Sequence, residues 1–352
     1  MLRLRGAVQH YAWGDRYALP AMMEITADGR PWAEVWYGTH PRGQAQVDES
    51  LHLPAPTYLV DQVGELPFIV KLLAAAQPLS LQVHPSSAQA AAGFAREEAL
   101  GVPHDSPRRV YADDRAKPEM VVAISEFEAL CGFVTQRDAI AACEAAGATR
   151  LAAHVREHGS ADAARAVLRG EKFTVDSPSA AMRQLLEHYP DSGAGESGAG
   201  DSRAAVALLM HHVRLSPGEA LYLDAGEVHT YLYGTALEVQ GSSDNVMRAA
   251  FTEKHVDLDE FFAVASFTER GMPTIVAERV SDTSAAYRCA APFQVMRHEV
   301  HGTFALTANR AHTLLVCTSG RLGSLSAGSA AYLPLGESVA LEGTATLYTV
   351  SA

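Results

Sequence analysis

A short run of alternating polar and apolar residues offers the first chemistry in this chain, at residues 78–85 (Pro-Leu-Ser-Leu-Gln-Val-His-Pro). A β-strand there would place the leucines and the valine on one face, and Ser80, Gln82 and His84 on the other. An amide and an imidazole on one face can bind the same metal ion. A half-buried strand with a polar face explains the pattern more simply, so a metal site requires further ligands.

Two more potential ligands follow downstream. Glu119 lies in a predicted strand that begins after Lys117, and His229 enters another predicted strand after a glycine-containing turn. With Gln82 and His84 they supply two imidazoles, one carboxylate and one amide. A set without cysteine is not a closed structural zinc site, and its oxygen ligands favour an open coordination position. We therefore expect one Zn²⁺ per chain, with Fe²⁺ or Mn²⁺ as alternatives.

Composition limits the partners and the compartment. A chain of 352 residues with 48% hydrophobic and 20% charged residues is typical of a soluble protein of two or three domains. Its net charge of −13 argues against nucleic acid and anionic membranes as partners, and an anionic substrate would need a local basic pocket. Four scattered cysteines, and the lack of a signal-like or membrane-spanning stretch, predict a reduced cytoplasmic location.

The pattern predicts that strands on both sides of a helical insertion position these side chains. Short runs rich in aromatic and β-branched residues, punctuated by glycine, predict strands and turns at 9–14, 33–43, 66–73, 117–124, 127–133, 213–223 and 236–240. Helical spacing predicts helices at 89–100, 138–145, 161–168, 179–188 and 257–265, with Ser177-Pro178 capping the fourth and a flexible loop at 191–202. Short strands with glycine-rich turns after residue 271 predict a second sandwich or jelly roll.

Several polar residues in these elements have two interpretations. Lys71 interrupts an apolar strand, so it either reaches outward to water or is held toward a polar cavity. Lys117 shares a strand face with Glu119. Glu34 and His40 lie near glycine and proline, where polar side chains more often hydrogen-bond to loops than take part in a site.

Six segments resemble the type I mannose-6-phosphate isomerases, a family of zinc-dependent enzymes with the cupin fold. They are residues 11–14 (Tyr-Ala-Trp-Gly), 33–41 (Ala-Glu-Val-Trp-Tyr-Gly-Thr-His-Pro), 78–85, 117–120 (Lys-Pro-Glu-Met), 127–133 (Phe-Glu-Ala-Leu-Cys-Gly-Phe) and 243–248 (Ser-Asp-Asn-Val-Met-Arg). The resemblance covers residues 1 to about 265. The remaining C-terminal part is similar to the family's second, metal-free cupin only in its general pattern of short strands and turns. The resemblance implies a mainly β fold: a catalytic cupin-type jelly roll at 1–134 and 206–270, a helical insertion at 135–205, and a metal-free cupin-like domain at 271–352.

The resemblance also implies the activity. The family interconverts mannose 6-phosphate and fructose 6-phosphate through an enediol, so we expect a cytoplasmic, monomeric aldose–ketose isomerase acting on a sugar phosphate. The residues that match its zinc ligands are Gln82, His84, Glu119 and His229. The residues expected in the active site are Lys117, Glu238, Asp244 and Arg248 for catalysis, and Lys71, Ser80 and Lys254 for substrate binding, with Lys254 near the phosphate.

Two departures from the family leave questions open. Ala116 stands where the family commonly has a histidine, which leaves the ring-opening group unassigned. Ala250 stands where the family favours glycine, although alanine is disfavoured at positive φ. The proton-transfer base is either Lys117 or Glu238.

Two other kinds of protein remain possible from the residues alone. A cupin dioxygenase would use Fe²⁺, but it usually has a more histidine-rich ligand set. A non-catalytic, sugar-binding or storage protein with two cupin domains would not need several lysines and an arginine near the metal.

Overall fold

The structure is a computed structural model that describes residues 1–48, 56–189 and 201–352. Its α-helices are α1 (Ala18–Met22), α2 (Leu59–Val63), α3 (Ser87–Ala99), α4 (Gln136–Ala145), α5 (Thr149–His158), α6 (Ser160–Leu168), α7 (Ala180–His188) and α8 (Leu258–Val264), with a 3-10 helix at Ser202–Leu208. No helix in these ranges has the length and apolar character needed to cross a membrane.

The strands account for most of the regular structure. In chain order they are β1 (Leu2–Arg5), β2 (Ala7–Gln9), β3 (Glu34–Tyr37), β4 (Gln46–Val47), β5 (Phe68–Ala75), β6 (Leu81–Val83), β7 (Glu119–Ala123), β8 (Phe127–Phe133), β9 (Met210–Leu215), β10 (Ala220–Leu223), β11 (His229–Gly241), β12 (Met247–Ala250), β13 (Thr274–Ile275), β14 (Glu278–Arg279), β15 (Ser284–Tyr287), β16 (Gln294–Thr307), β17 (Thr313–Leu322), β18 (Leu325–Ser326), β19 (Ala330–Tyr332) and β20 (Ser338–Ser351). The prediction of a mainly β fold with a helical segment between β8 and β9 is confirmed.

Two antiparallel sheets share these strands. One has the order β14-β15-β16-β20-β17-β19-β1-β4, with β18 paired to β17. The other has the order β13-β10-β7-β11-β5-β3-β2, and β6, β8, β9 and β12 extend it around the first half of β11. The N-terminal strand β1 thus lies in the sheet of the C-terminal part. The division into domains at residues 134, 205 and 270, and the cupin jelly-roll form of each sheet, remain predictions.

Strand β11 pairs with two different sets of strands along its length. Its beginning pairs with β6 and β8, and its later part pairs with β5 and β7. The change occurs at Gly234, whose φ of +114° disfavours any other residue, and where a Cβ would lie 2.4 Å from the carbonyl oxygen of Glu126. Because the partner strands change there, His229 lies between β6 and β8, whereas Glu238 lies between β5 and β7.

The helical insertion follows the prediction with two differences. Helices α4, α6 and α7 match the predicted segments, but α5 was not predicted; its buried residues are Leu151, Ala152 and Val155. The N-cap of α7 is Ser179, whose hydroxyl accepts a hydrogen bond from the Met182 amide, so the predicted cap at Ser177-Pro178 is wrong. Most of the predicted loop at 191–202 lies outside the described residues.

The C-terminal strands are longer than the sequence pattern predicts. β16 and β20 each contain 14 residues, and they pair along their whole length. The prediction of short, evenly spaced strands after residue 271 is therefore wrong for this pair. The residues of β5 that alternate with Lys71, such as Val70 and Leu72, pack in a core between the two sheets.

Candidate active site

Three adjacent strands present charged side chains to the interior of the second sheet. Glu119 on β7, Glu238 on β11 and Lys71 on β5 point away from the core between the sheets, because their neighbours Met120, Leu237 and Leu72 pack into it. Glu238 pairs in register with Lys71. Their exposed fractions are 1%, 3% and 5%, so all three depend on partners inside the protein.

His84, Glu119 and His229 converge on one point. The ligand atoms of these three buried residues all lie within 4.8 Å of one another. Glu119 Oε1 is 3.3 Å from His84 Nε2, and Glu119 Oε2 is 3.5 Å from His229 Nε2. Gln82, which pairs in register with His229, places its amide nitrogen 3.3 Å from the same His229 Nε2. A half-turn of that amide would bring its oxygen to the same place.

Backbone carbonyl groups orient both imidazoles. His84 Nδ1 donates to the Asn245 carbonyl oxygen at 2.7 Å, and His229 Nδ1 donates to the Glu227 carbonyl oxygen at 2.9 Å. Since a carbonyl only accepts, each Nδ1 carries the proton and each Nε2 is left with a lone pair facing the cluster. The buried Nε2 of His84 has no hydrogen-bond partner in the described chain.

The charge state of the cluster suits a divalent cation. Burial, reinforced by the nearby charge of Lys117, lowers the pKa of His84 to about 4, which keeps the ring neutral. Burial opposes ionisation of Glu119, but the positive charge of Lys117 overcomes it and holds the pKa of Glu119 well below its ordinary value. Neutral imidazole and ionised carboxylate are the forms that bind zinc. The donors present therefore fit the metal that the sequence predicts.

Two buried lysines border this cluster in different ways. Lys71 Nζ lies 2.8 Å from Glu238 Oε2 and 3.4 Å from Glu34 Oε1, so the side chain points inward to two buried carboxylates rather than outward to water. Burial opposes its charge, but these two carboxylates raise the pKa of Lys71 above its ordinary value. Burial raises the pKa of Glu238, and Lys71 offsets part of that effect. Lys117 Nζ contacts the carboxylate of Glu119, with 2.9 Å between Nζ and Oε1.

Two cationic side chains, those of Arg248 and Lys254, line one cavity. Arg248 on β12 pairs in register with Gln82, and it lines a cavity of about 290 Å³ together with Lys254 and the acidic residues Glu253 and Asp257. Burial and the nearby guanidinium of Arg248 lower the pKa of Lys254. Lys254 Nζ also lies 5.6 Å from the centre of the Tyr11 ring. The Ser80 hydroxyl donates to the side-chain oxygen of Gln82 at 3.1 Å, so it acts here on a potential ligand.

Asp244 contacts His40, for which the sequence favoured a loop-binding role, and Arg42, which the sequence did not indicate. Its Oδ2 lies 3.4 Å from His40 Nε2 and 3.5 Å from Arg42 Nη1. His40 and Glu34 thus contact residues expected in the active site rather than loops alone. The period of two in β3 could have indicated Glu34, whose strand register places it near Lys71.

Two more contacts were missed from sequence. The Tyr231 hydroxyl donates to Glu119 Oε2 at 3.2 Å, and Tyr231 lies two residues after His229, on the same strand. Asn245 is fully buried and its side chain binds the backbone of residues 112–115. The concern about Ala250 is wrong in this structure, because Phe251 takes the positive φ of +59° instead.

Comparisons with known proteins agree with this geometry. The family model for the catalytic domain of type I phosphomannose isomerases matches residues 1–136. The chain is 34% identical over 302 residues to the mannose-6-phosphate isomerase of Salmonella typhimurium, covering 76% of this chain and 75% of the relative. It is also 34% identical over 315 residues to the mannose-6-phosphate isomerase of Escherichia coli, covering 80% and 78%.

Solved structures extend the similarity to the whole length. The mannose 6-phosphate isomerase of Salmonella typhimurium bound to fructose 6-phosphate and zinc superposes with a TM-score of 0.85 at 29% identity, covering 100% of this chain and 99% of that one. A mannose 6-phosphate isomerase bound with zinc and yttrium gives the same TM-score, identity and coverage. On this evidence the chain belongs to the mannose-6-phosphate isomerase family.

Proposed function

We propose that this protein is an aldose–ketose isomerase that interconverts mannose 6-phosphate and fructose 6-phosphate through an enediol, with one bound zinc ion. The observation that carries this proposal is the buried His84–Glu119–His229 group, whose carboxylate contacts Lys117. The adjacent Gln82 pairs in register with Arg248, which lines a cavity together with Lys254. The relatives bearing that activity as their name, and the relative bound to fructose 6-phosphate and zinc, support it.

Gln82, His84, Glu119 and His229 would hold the zinc ion. The buried cluster contains three carboxylates (Glu34, Glu119 and Glu238) and two lysines (Lys71 and Lys117), so its charge is 2 − 3 = −1 before a metal binds. A divalent cation brings it to +1, which suits an anionic substrate. Bound there, zinc would act as a Lewis acid that polarises the sugar oxygens without redox chemistry.

Arg248 and Lys254 would bind the phosphate. Both line one cavity, and the proximity of Arg248 already contributes to the lowered pKa of Lys254. Two cations held together in partly buried positions repel each other unless an anion lies between them. A dianionic phosphate removes that repulsion, which explains how a chain of net charge −13 can bind a sugar phosphate.

Lys117 would move the proton between C2 and C1. The carboxylate partner of Lys117 is Glu119, a proposed metal ligand. Lys71 instead stays charged between Glu34 and Glu238, which are not metal ligands. The contact of 2.9 Å keeps the Lys117 amine beside the proposed metal site, where a base has to reach the substrate. Glu238 is the alternative base, but its contact with Lys71 at 2.8 Å stabilises its ionised form and weakens it in that role.

The His40–Asp244 pair would open the sugar ring. Ala116 has no titratable side chain, so this chain needs another acid–base group. Burial lowers the pKa of His40, which leaves the imidazole neutral. Its Nδ1 accepts a hydrogen bond from the Arg42 amide at 3.3 Å, and a sugar hydroxyl would have to take the place of that amide to give its proton to the ring. Asp244, 3.4 Å from His40 Nε2, would stabilise the imidazolium that forms.

Monomeric state and cytoplasmic location complete the proposal. Cys131, Cys143, Cys289 and Cys317 are all free thiols, which suits a reducing compartment. Sedimentation of the purified protein should give a single species near 37.6 kDa. A dimer at micromolar concentration would contradict the monomer.

A coupled assay of fructose 6-phosphate formation tests the activity. Purified protein should convert mannose 6-phosphate, lose activity with a chelator, and regain it on addition of zinc. His84→Ala should remain inactive with added zinc, whereas the control His104→Ala, an exposed histidine outside the cluster, should keep full activity. Oxygen consumption without isomerisation would indicate a dioxygenase, and sugar binding without turnover would indicate a binding protein.

A further inference from the structure

The carboxylate of Glu227, two residues before His229, is buried and has no part in the mechanism above. Glu227 is 6% exposed, and its Oε2 accepts a hydrogen bond from Arg270 Nη1 at 2.7 Å. The backbone carbonyl of the same residue accepts the Nδ1–H of His229 at 2.9 Å. One residue thus joins an ion pair on its side chain to the orientation of a proposed metal ligand on its backbone.

The position of the Glu227 side chain is tightly defined. It lies against Gly132, at a φ of +63°, where a Cβ would come within 2.4 Å of Glu227 Oε1. The Gly132 amide donates to the Val228 carbonyl oxygen at 2.9 Å, so strand β8 holds the turn from its other side.

Arg270 is itself anchored through its backbone. Its amide donates to the Phe133 carbonyl oxygen at 3.1 Å, and its carbonyl oxygen accepts from His211 Nε2 at 2.8 Å. Four residues earlier, the Ser266 amide donates to the Gly226 carbonyl oxygen at 2.8 Å. The segment 266–270 therefore contacts the turn that leads into His229 twice. The contacts are the hydrogen bond from the Ser266 amide to Gly226 and the ion pair of Arg270 with Glu227.

We propose that the Arg270–Glu227 ion pair is a positioning device for His229 that sets the affinity of the protein for zinc. The pair fixes the peptide carbonyl of Glu227, the carbonyl fixes the Nδ1–H tautomer and the ring plane of His229, and Nε2 is thereby aimed at the metal. Outer contacts of this kind typically contribute about 10–100-fold to metal affinity. This inference rests on the zinc site of the proposed function, but it concerns residues that do not touch the metal or the substrate.

Zinc affinity of the metal-free proteins tests it, measured by competition with a chromophoric chelator. Arg270→Met should raise the Kd for zinc by about 10-fold or more. Arg270→Lys, which keeps a cation near the carboxylate, should recover part of the loss. The matched control is Arg279→Met, because Arg279 also pairs with a carboxylate, that of Asp282 at 2.6 Å, but on the exposed surface.

Two further measurements separate positioning from a general structural role. The melting temperature of the metal-free variants reports the fold, and kcat at saturating zinc should return toward the wild-type value. Should Arg270→Met fail to fold, Glu227→Gln removes the charge with little change in shape and should also weaken zinc binding. An unchanged zinc Kd in a folded Arg270→Met or Glu227→Gln variant, with only the melting temperature lowered, would overturn the inference. If the wild-type protein bound no zinc, the proposed function would fail as well, so the two failures are distinguishable.

Discussion

Replacing Arg248 with alanine is the sharpest test of the proposed site. Arg248 is half-buried on β12, and its guanidinium makes no ion pair in the parts of the chain that the structure describes. One of its nitrogens lies 3.5 Å from the Val246 carbonyl oxygen. Asp244, four residues before Arg248, pairs instead with His40 and Arg42. A partly buried cation without a carboxylate partner is poised for an anionic ligand.

The expected size of the effect follows from these contacts. Removal of one donor that stabilises developing negative charge costs about 100-fold or more in rate, or roughly 2.7 kcal/mol of the activation free energy. Because Arg248→Ala breaks no ion pair, its free energy of unfolding should change by less than about 1 kcal/mol. Activity and stability should therefore separate in this variant. The control Arg214→Ala, which removes an exposed partner of Glu128, should change neither by much.

Two substrates distinguish the possible roles of Arg248. The rate is measured with mannose 6-phosphate, and with unphosphorylated mannose at high concentration. A group that only clamps the phosphate would leave the slow reaction of mannose unchanged. A group that also stabilises the enediolate would slow both substrates, and this is the result we expect. Unchanged rates on both substrates would refute the reasoning and remove Arg248 from the site.

Three more predictions concern metal, charge and pH. Chelation should abolish isomerisation but leave the β-sheet circular dichroism intact, since large cores do not depend on one ion; full activity in metal-free protein would contradict this. Lys71→Met should lower the free energy of unfolding by about 3–5 kcal/mol, because it leaves Glu34 and Glu238 buried without their cation; a loss below about 1 kcal/mol in denaturant titration would show that water reaches them. Burial lowers the pKa of His298 from 6.5 to about 4, so its contribution to stability, about 3 kcal/mol, is present above pH 6.5 and lost as pH falls to about 4. The stability of His298→Asn should fall less over that range, and equal slopes would rule the effect out.

The sequence by itself determined the potential ligands and the family. Alternation with a period of two is a local property of a strand, so it assigns Gln82 and His84, and likewise Lys117 and Glu119, to shared faces. The six segments carried the resemblance to mannose-6-phosphate isomerases, because each combines residue types that fold and chemistry both restrict. Local spacing also gave the positions of five of the eight α-helices in the described residues; α1, α2 and α5 were not predicted, and the predicted cap of α7 was wrong.

The tertiary structure determined which strand faces lie against each other and which side chains are therefore in contact. Periodicity could not say whether Lys71 points to water or inward, and the answer came from Glu34 and Glu238 on the flanking strands. Nor could it indicate that Arg270 reaches Glu227, the residue that orients His229, since Arg270 and Glu227 are 43 positions apart. Such contacts depend on strand order and on the change of partner strands along β11, which result from packing the whole core rather than from any local preference.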